Sequence, residues 1–278
     1  MSNPSRYRHR LFRRNARMQL DRHAVEGMTR LAIFRLRRTS LPARTLVTIA
    51  NTTLLCVALS LLPLHAHSAD VTATVRVVAK DGKSDPNGVV LSLTPLDPAK
   101  RVALKEAPAH ATLVQKNKSF SPHLLVVPPG STVDFPNRDP FFHNVFSLFE
   151  GKRFDLGLYE SGTTRSVKFD RTGVSYVFCN IHPQMNAIVI SLDTPYYAII
   201  GSSGEARIPN VEPGDYQLQV WAEGLNREEM DKLSSRVSVG EAPVRLGTLE
   251  IPSSETLAEH NNKYGRPYDP NSSTPYQH

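Results

Sequence analysis

One short segment carries three side chains that favour the same kind of ion. Phe178-Cys179-Asn180-Ile181-His182-Pro183-Gln184-Met185 offers a thiolate, an imidazole and a thioether at Cys-x2-His-x2-Met spacing. A tight loop of that length aims all three at one point. Thiolate and thioether are soft ligands and suit copper, and one Cys with two His in a near-trigonal plane, under a long axial Met, is the blue-copper arrangement. Structural zinc takes Cys and His in sets of four and does not use Met. Catalytic zinc needs an open position and a general base, and the loop contains no acid. Singly, a buried Cys is ordinarily inert core and a Met ordinarily fills a gap. The joint spacing outweighs those bland readings, but the trigonal plane needs a second His from elsewhere in the chain.

The cysteine count strengthens this reading. The chain has two cysteines, and Cys56 falls in an apolar run, Leu46 to Leu62, that follows an Arg-rich stretch and precedes Ala66-His67-Ser68-Ala69. That order of basic, apolar and small residues is an export leader over residues 1–69, cut after Ser68 or Ala69. The apolar run is interrupted by Asn51, Thr52 and Thr53, so it makes a poor membrane span. Removing the leader makes Cys179 the only thiol, in an oxidising compartment where a free thiol is a liability unless it binds something. A cut after Ala66 would instead place His67 at a chelating N-terminus, but Leu64 then fits the small-residue rule badly.

Charge follows the same division. The formal net charge is +7, but residues 1–69 hold 12 Lys/Arg and two acids, leaving 21 bases and 24 acids beyond them. The folded part is slightly acidic, which argues against nucleic-acid binding. Beyond the leader the pattern is β throughout, in short runs punctuated by Pro, Gly, Asn and Asp: an all-β sandwich class. Expected strands include Val71–Val78, Val89–Leu93, Ala111–Gln115, Leu124–Val127, Ser131–Phe135, His143–Leu148, Thr164–Phe169, Ser175–Phe178, Ala187–Leu192, Tyr216–Trp221 and Val244–Ile251. Only Asn226 to Leu233 reads as a helix, with Asn226 as its cap. Residues 253–278 read as an irregular tail that lies on the body or stays mobile.

Residues 106–193 resemble a cupredoxin. Val127-Pro-Pro-Gly-Ser-Thr-Val-Asp-Phe-Pro-Asn-Arg-Asp-Pro-Phe-Phe-His143-Asn144-Val145 is similar to the segment around the first copper His of plastocyanins and amicyanins, and the Cys-x2-His-Pro-x-Met loop is amicyanin-like. The resemblance implies a Greek-key sandwich holding one copper ion through His143, Cys179, His182 and Met185. It also implies that Asn144 bonds across to the backbone near Cys179–Asn180, that the Asn180 amide tunes the thiolate, and that Pro183 stiffens the loop. Both Asn residues could equally serve simple turn chemistry. Segments 70–105 and 194–252 resemble the two halves of a carboxypeptidase-regulatory-like (transthyretin-like) β-sandwich. The cupredoxin segment is then inserted in that sandwich, or one enlarged sandwich spans both. The whole arrangement is similar, more loosely, to bacterial methylamine-utilisation-like proteins.

The function implied is one-electron transfer in the periplasm of a Gram-negative bacterium. The expected protein is a monomer with transient redox partners such as a cytochrome or dehydrogenase, and it touches membrane only through an uncleaved leader. A periplasmic copper carrier or sensor and a noncatalytic assembly module are the alternatives. An enzyme is the least favoured class, since the chain beyond the leader has no His-x-His pair.

Overall fold

The structure is a computed structural model that describes residues 68–78, 85–148, 151–253 and 261–268. The leader's basic and apolar stretches, Cys56, His67 and the alternative cut after Ala66 lie outside the described residues. In chain order the elements are β1 (Ala69–Val78), β2 (Val90–Pro95), α1 (Pro98–Ala103), β3 (His110–Thr112), β4 (Val114–Lys116), β5 (Ser119–Ser121), β6 (Leu124–Val127), β7 (Ser131–Pro136), β8 (His143–Ser147), β9 (Phe154–Tyr159), β10 (Thr164–Phe169), β11 (Gly173–Cys179), β12 (Asn186–Ser191), β13 (Tyr197–Ile199), β14 (Glu205–Val211), β15 (Gly214–Trp221), α2 (Arg227–Leu233), β16 (Ser235–Val239) and β17 (Val244–Pro252). No helix among the described residues is long and apolar enough to cross a membrane.

The architecture is an all-β sandwich, built twice. Strands from the two ends of the chain combine in the first sandwich: sheet β14-β1-β17 faces sheet β13-β2-β15-β16. Alternation puts Val71 and Val75 of β1, Leu91 and Leu93 of β2, and Tyr216, Leu218 and Val220 of β15 into one core. The middle of the chain forms the second sandwich, in which sheet β10-β7-β3 faces sheet β6-β12-β11-β8-β9. Its core holds Val133, Phe135, Val145, Val167, Phe169, Val177 and Val189. A smaller cluster of Val90, Ile188, Ile190 and Trp221 joins the outer faces of β12 and β2–β15.

Several local features depart from the sequence reading, among them the short strands β5 and β13, which were not expected. The expected strand Ala111–Gln115 is broken at Leu113: β3 pairs in parallel with β7, whereas β4 turns to pair with β5. Strand β9 was not expected. Its Phe-Asp-Leu-Gly-Leu-Tyr run lacks clean alternation, because Gly157 adopts φ +66° and the ladder with β8 slips between Asn144 and Phe146. Helix α1 is capped by Asp97, with Pro98 in its first turn. The helix expected from Asn226 forms, with the reciprocal Asn226–Glu229 capping box.

Candidate metal centre

Two adjacent strands of the five-stranded sheet present the ligands. His143 begins β8 and Cys179 ends β11, and the two strands pair at Cys179↔Val145. The loop after Cys179 closes tightly on itself. The Cys179 amide donates to the Met185 carbonyl at 3.0 Å, and the Met185 amide donates to the His182 carbonyl at 3.0 Å. His143 and His182 each turn Nδ1 toward the Cys179 sulfur, at 3.5 Å in both cases. The three ligand atoms lie within 4.8 Å of one another. Bonds of about 2.0 Å to nitrogen and 2.3 Å to sulfur, opened to tetrahedral or trigonal angles, put the ligand atoms about 3.5–3.7 Å apart, so the spacing fits one ion. Met185 is buried in the same core as Cys179.

The site is dry on three sides. His143, Cys179 and Met185 are at most 1% exposed, and His182 is half-buried. Burial pushes the Cys179 thiol up, against the backbone NH groups of Asn144, Ile181 and His182 that favour the thiolate. A cation in the cluster would tip that balance. Burial first, then the charges of His143 and Lys118, push His182 down to about 4. Burial likewise lowers His143, against the opposing pull of Asp139. Both imidazoles are therefore neutral at pH 7 and carry a free lone pair, which is the form that binds metal.

Asp139 is a participant that sequence reasoning missed. Its Oδ2 lies 2.9 Å from His143 Nε2, so that nitrogen carries the proton and Nδ1 is left as the ligand atom. The same carboxylate accepts from the amides of Asn117, at 2.6 Å, and Lys118, at 3.0 Å. Burial alone would raise the Asp139 carboxyl, but the Lys118 amide, His143 and the Asn117 amide outweigh it and hold it below the usual carboxylate range. Buried Asn137 fixes the approach to His143: its side chain donates to the Phe141 carbonyl at 2.7 Å and accepts from the Asp139 amide at 3.0 Å.

Asn144 bonds across to Asn180 as expected, whereas the Asn180 amide has another role. Asn144 does reach across to Asn180, but through its carbonyl, which accepts from the Asn180 amide at 2.8 Å. Its side chain donates to Asp155 at 2.7 Å instead. The Asn180 amide is spent on that bond, and the backbone NH groups that favour the Cys179 thiolate are those of Asn144, Ile181 and His182. The Asn180 side chain accepts from the Lys263 amide at 2.9 Å, and Tyr268 donates from its hydroxyl to the Cys179 carbonyl at 2.8 Å. Part of the tail therefore lies on the ligand loop. Pro183 is exposed beside His182. The Phe141 ring sits 5.4 Å from both imidazoles, and Phe142 is exposed. His110 and His123 lie against other partners, Asp134 at 3.5 Å and Glu223 at 2.9 Å.

Comparison with known proteins gives partial likenesses. The family described as polysaccharide lyase family 4, domain II, matches residues 174–242, a minority of the chain that runs from β11 past the end of β16. The curated proteins contain no match. Among solved structures, a copper-containing nitrite reductase from Thermus scotoductus is 27% identical over 35% of this chain, with a TM-score of 0.29, and the chain spans only 27% of its length. A purple cupredoxin from Nitrosopumilus maritimus is 26% identical over 30% of this chain and 99% of its own, with a TM-score of 0.28. An amicyanin variant is 21% identical over 30% of this chain and 82% of its own, also with a TM-score of 0.28.

Proposed function

We propose that the chain is a copper-binding, cupredoxin-like protein that carries single electrons between proteins of the periplasm. The observation that carries this reading is the convergence of His143 Nδ1 and His182 Nδ1 on the Cys179 sulfur, 3.5 Å from each, with Met185 held in the same loop. Copper held there supplies a one-electron couple between Cu(I) and Cu(II). The protein's part is to keep the ligands still. Asp139 orients His143, the closed 179–185 loop orients Cys179 and Met185, and the surrounding core excludes water. His182, half-exposed between Phe141 and Pro183, is the edge at which a partner approaches. The basic and apolar leader supports export, and the single remaining cysteine suits an oxidising compartment. A cytochrome or a dehydrogenase is the partner class that fits a carrier of this kind. We read the protein as a carrier and not an enzyme.

The test is to express residues 70–278, add Cu(II), and record visible and EPR spectra. The expected result is an intense thiolate-to-copper band with narrow copper hyperfine splitting, abolished in Cys179→Ser. Weak d–d absorption alone would refute the site. Copper transfer to a metal-free acceptor, without electron exchange with cytochromes, would favour the copper-carrier alternative.

A further inference from the structure

The rim beside His182 is cationic, and its charges are held in place by the site itself. The turn between β4 and β5 places Asn117 and Lys118 in the left-handed region, at φ 56° and 55°. Such a conformation is strained for these residues unless something holds it, and Asp139 does so through both amides while gripping His143. Lys118 then projects its ammonium to 5.6 Å from the Phe141 ring, which itself packs 5.4 Å from His182. Lys116 lies in the same hairpin and Arg138 next to Asp139, and both, like Lys118, are exposed. The Arg138 amide is tied to the Gln115 carbonyl at 2.8 Å, which fixes the adjoining backbone. Arg165 adds a fourth cation, 5.7 Å over the Tyr159 ring, where β9 pairs with His143. Of the nearby acids among the described residues, Glu160 is exposed next to Tyr159, Asp155 is paired with Lys263, and Asp139 is buried and accepts from Asn117, Lys118 and His143. Phe142 and Pro183 provide exposed apolar surface beside the charges.

We propose that Lys116, Lys118 and Arg138 form a cationic collar around the His182 edge, and that this collar selects a redox protein with an acidic docking face. The folded part as a whole is slightly acidic, so the collar opposes the protein's overall charge and gives an approaching partner a preferred orientation. The selection rests on the electron-carrier reading, but the collar itself does not need copper.

Two measurements separate them. In metal-free protein, the redox-inert anion hexacyanochromate(III) should broaden the amide NMR signals of residues 116–118, 138, 139, 141, 142 and 182. Lys118→Glu should remove that effect while leaving the remaining spectrum in place. In copper-loaded protein, Cu(I) should pass one electron to an acidic c-type cytochrome, giving Cu(II) and the ferrous cytochrome. The rate should fall roughly tenfold in Lys118→Glu at low salt. It should also fall as ionic strength rises from about 0.01 M to 1 M, where screening shortens from about 30 Å to 3 Å. A basic cytochrome should show the opposite trends. Broadening that avoids the His182 rim, or cytochrome rates indifferent to Lys118 and to salt, would overturn the collar. Anion binding at the rim with no electron exchange would leave the collar standing and overturn the carrier reading.

Discussion

At His143 the imidazole is gripped from both ends, with the Cys179 sulfur at Nδ1 and the Asp139 carboxylate at Nε2. The sequence contains the Asp, but four positions before the His in an irregular segment nothing in its spacing marks it as a partner. A buried carboxylate on the far nitrogen makes the imidazole a stronger donor and adds a negative charge near the metal, and both effects favour the oxidised ion. Asp139→Asn keeps an acceptor for Nε2 and removes the charge. The reduction potential should rise by roughly 60 mV, a tenfold change in a one-electron equilibrium, while the intense visible band remains. Voltammetry showing no rise, or a fall, would contradict the assigned role.

The ligand loop between β11 and β12 is braced by an element outside either sandwich. Residues 261–268 lie across it. Lys263 reaches Asn180 through its amide and Asp155 through its ammonium, at 2.8 Å, while Asn144 donates to the other oxygen of Asp155. Tyr268 closes the brace on the Cys179 carbonyl. Each ligand-bearing strand is thus tied to the same short segment. A hydrogen bond of this kind contributes about 1 kcal/mol. If the loop must open for copper to leave, Tyr268→Phe should speed copper release about fivefold. Stopped-flow transfer of copper to a strong chelator measures this, and an unchanged rate would show that the brace does not hold the loop closed.

At the scale of the whole molecule, the two sandwiches meet through Val90, Ile188, Ile190 and Trp221, and the pair His123 and Glu223 joins them as well. His123, ahead of β6, binds Glu223, just after β15, at 2.9 Å. The Glu223 hydrogen bond first, against desolvation, holds the His123 imidazole above its usual value. A group raised in the folded state stabilises fully below its unfolded value, near 6.5, and loses that contribution as pH rises through the folded value. Because the His123 side chain is about half exposed, the pair is worth no more than about 1 kcal/mol. Thermal unfolding should therefore show His123→Gln destabilised at about pH 5.5 and nearly equal to the parent at about pH 8.5. A gap that widened with pH would reverse the sign and exclude the pair as the cause. Trp221, the only tryptophan, lies in this junction and reports its opening by fluorescence.

The sequence alone determined the class of fold, because β alternation and turn residues act over a few positions. It also set the local ligand trio of Cys179, His182 and Met185, because seven residues of loop hold them near one another whatever the rest of the chain does. His143 was reached through resemblance, and its distance from Cys179 is a property of the β8–β11 pairing, not of any local spacing. The bond from Asn144 across to Asn180 was legible, but which of its atoms makes it, and the role of the Asn180 amide, depend on which polar groups are nearest after packing. Asp139, Asp155, Lys263 and Tyr268 were not legible at all. Their partners lie across turns or far along the chain, up to 108 residues away for Lys263 and Asp155, and only the closed tertiary structure brings such groups within bonding distance.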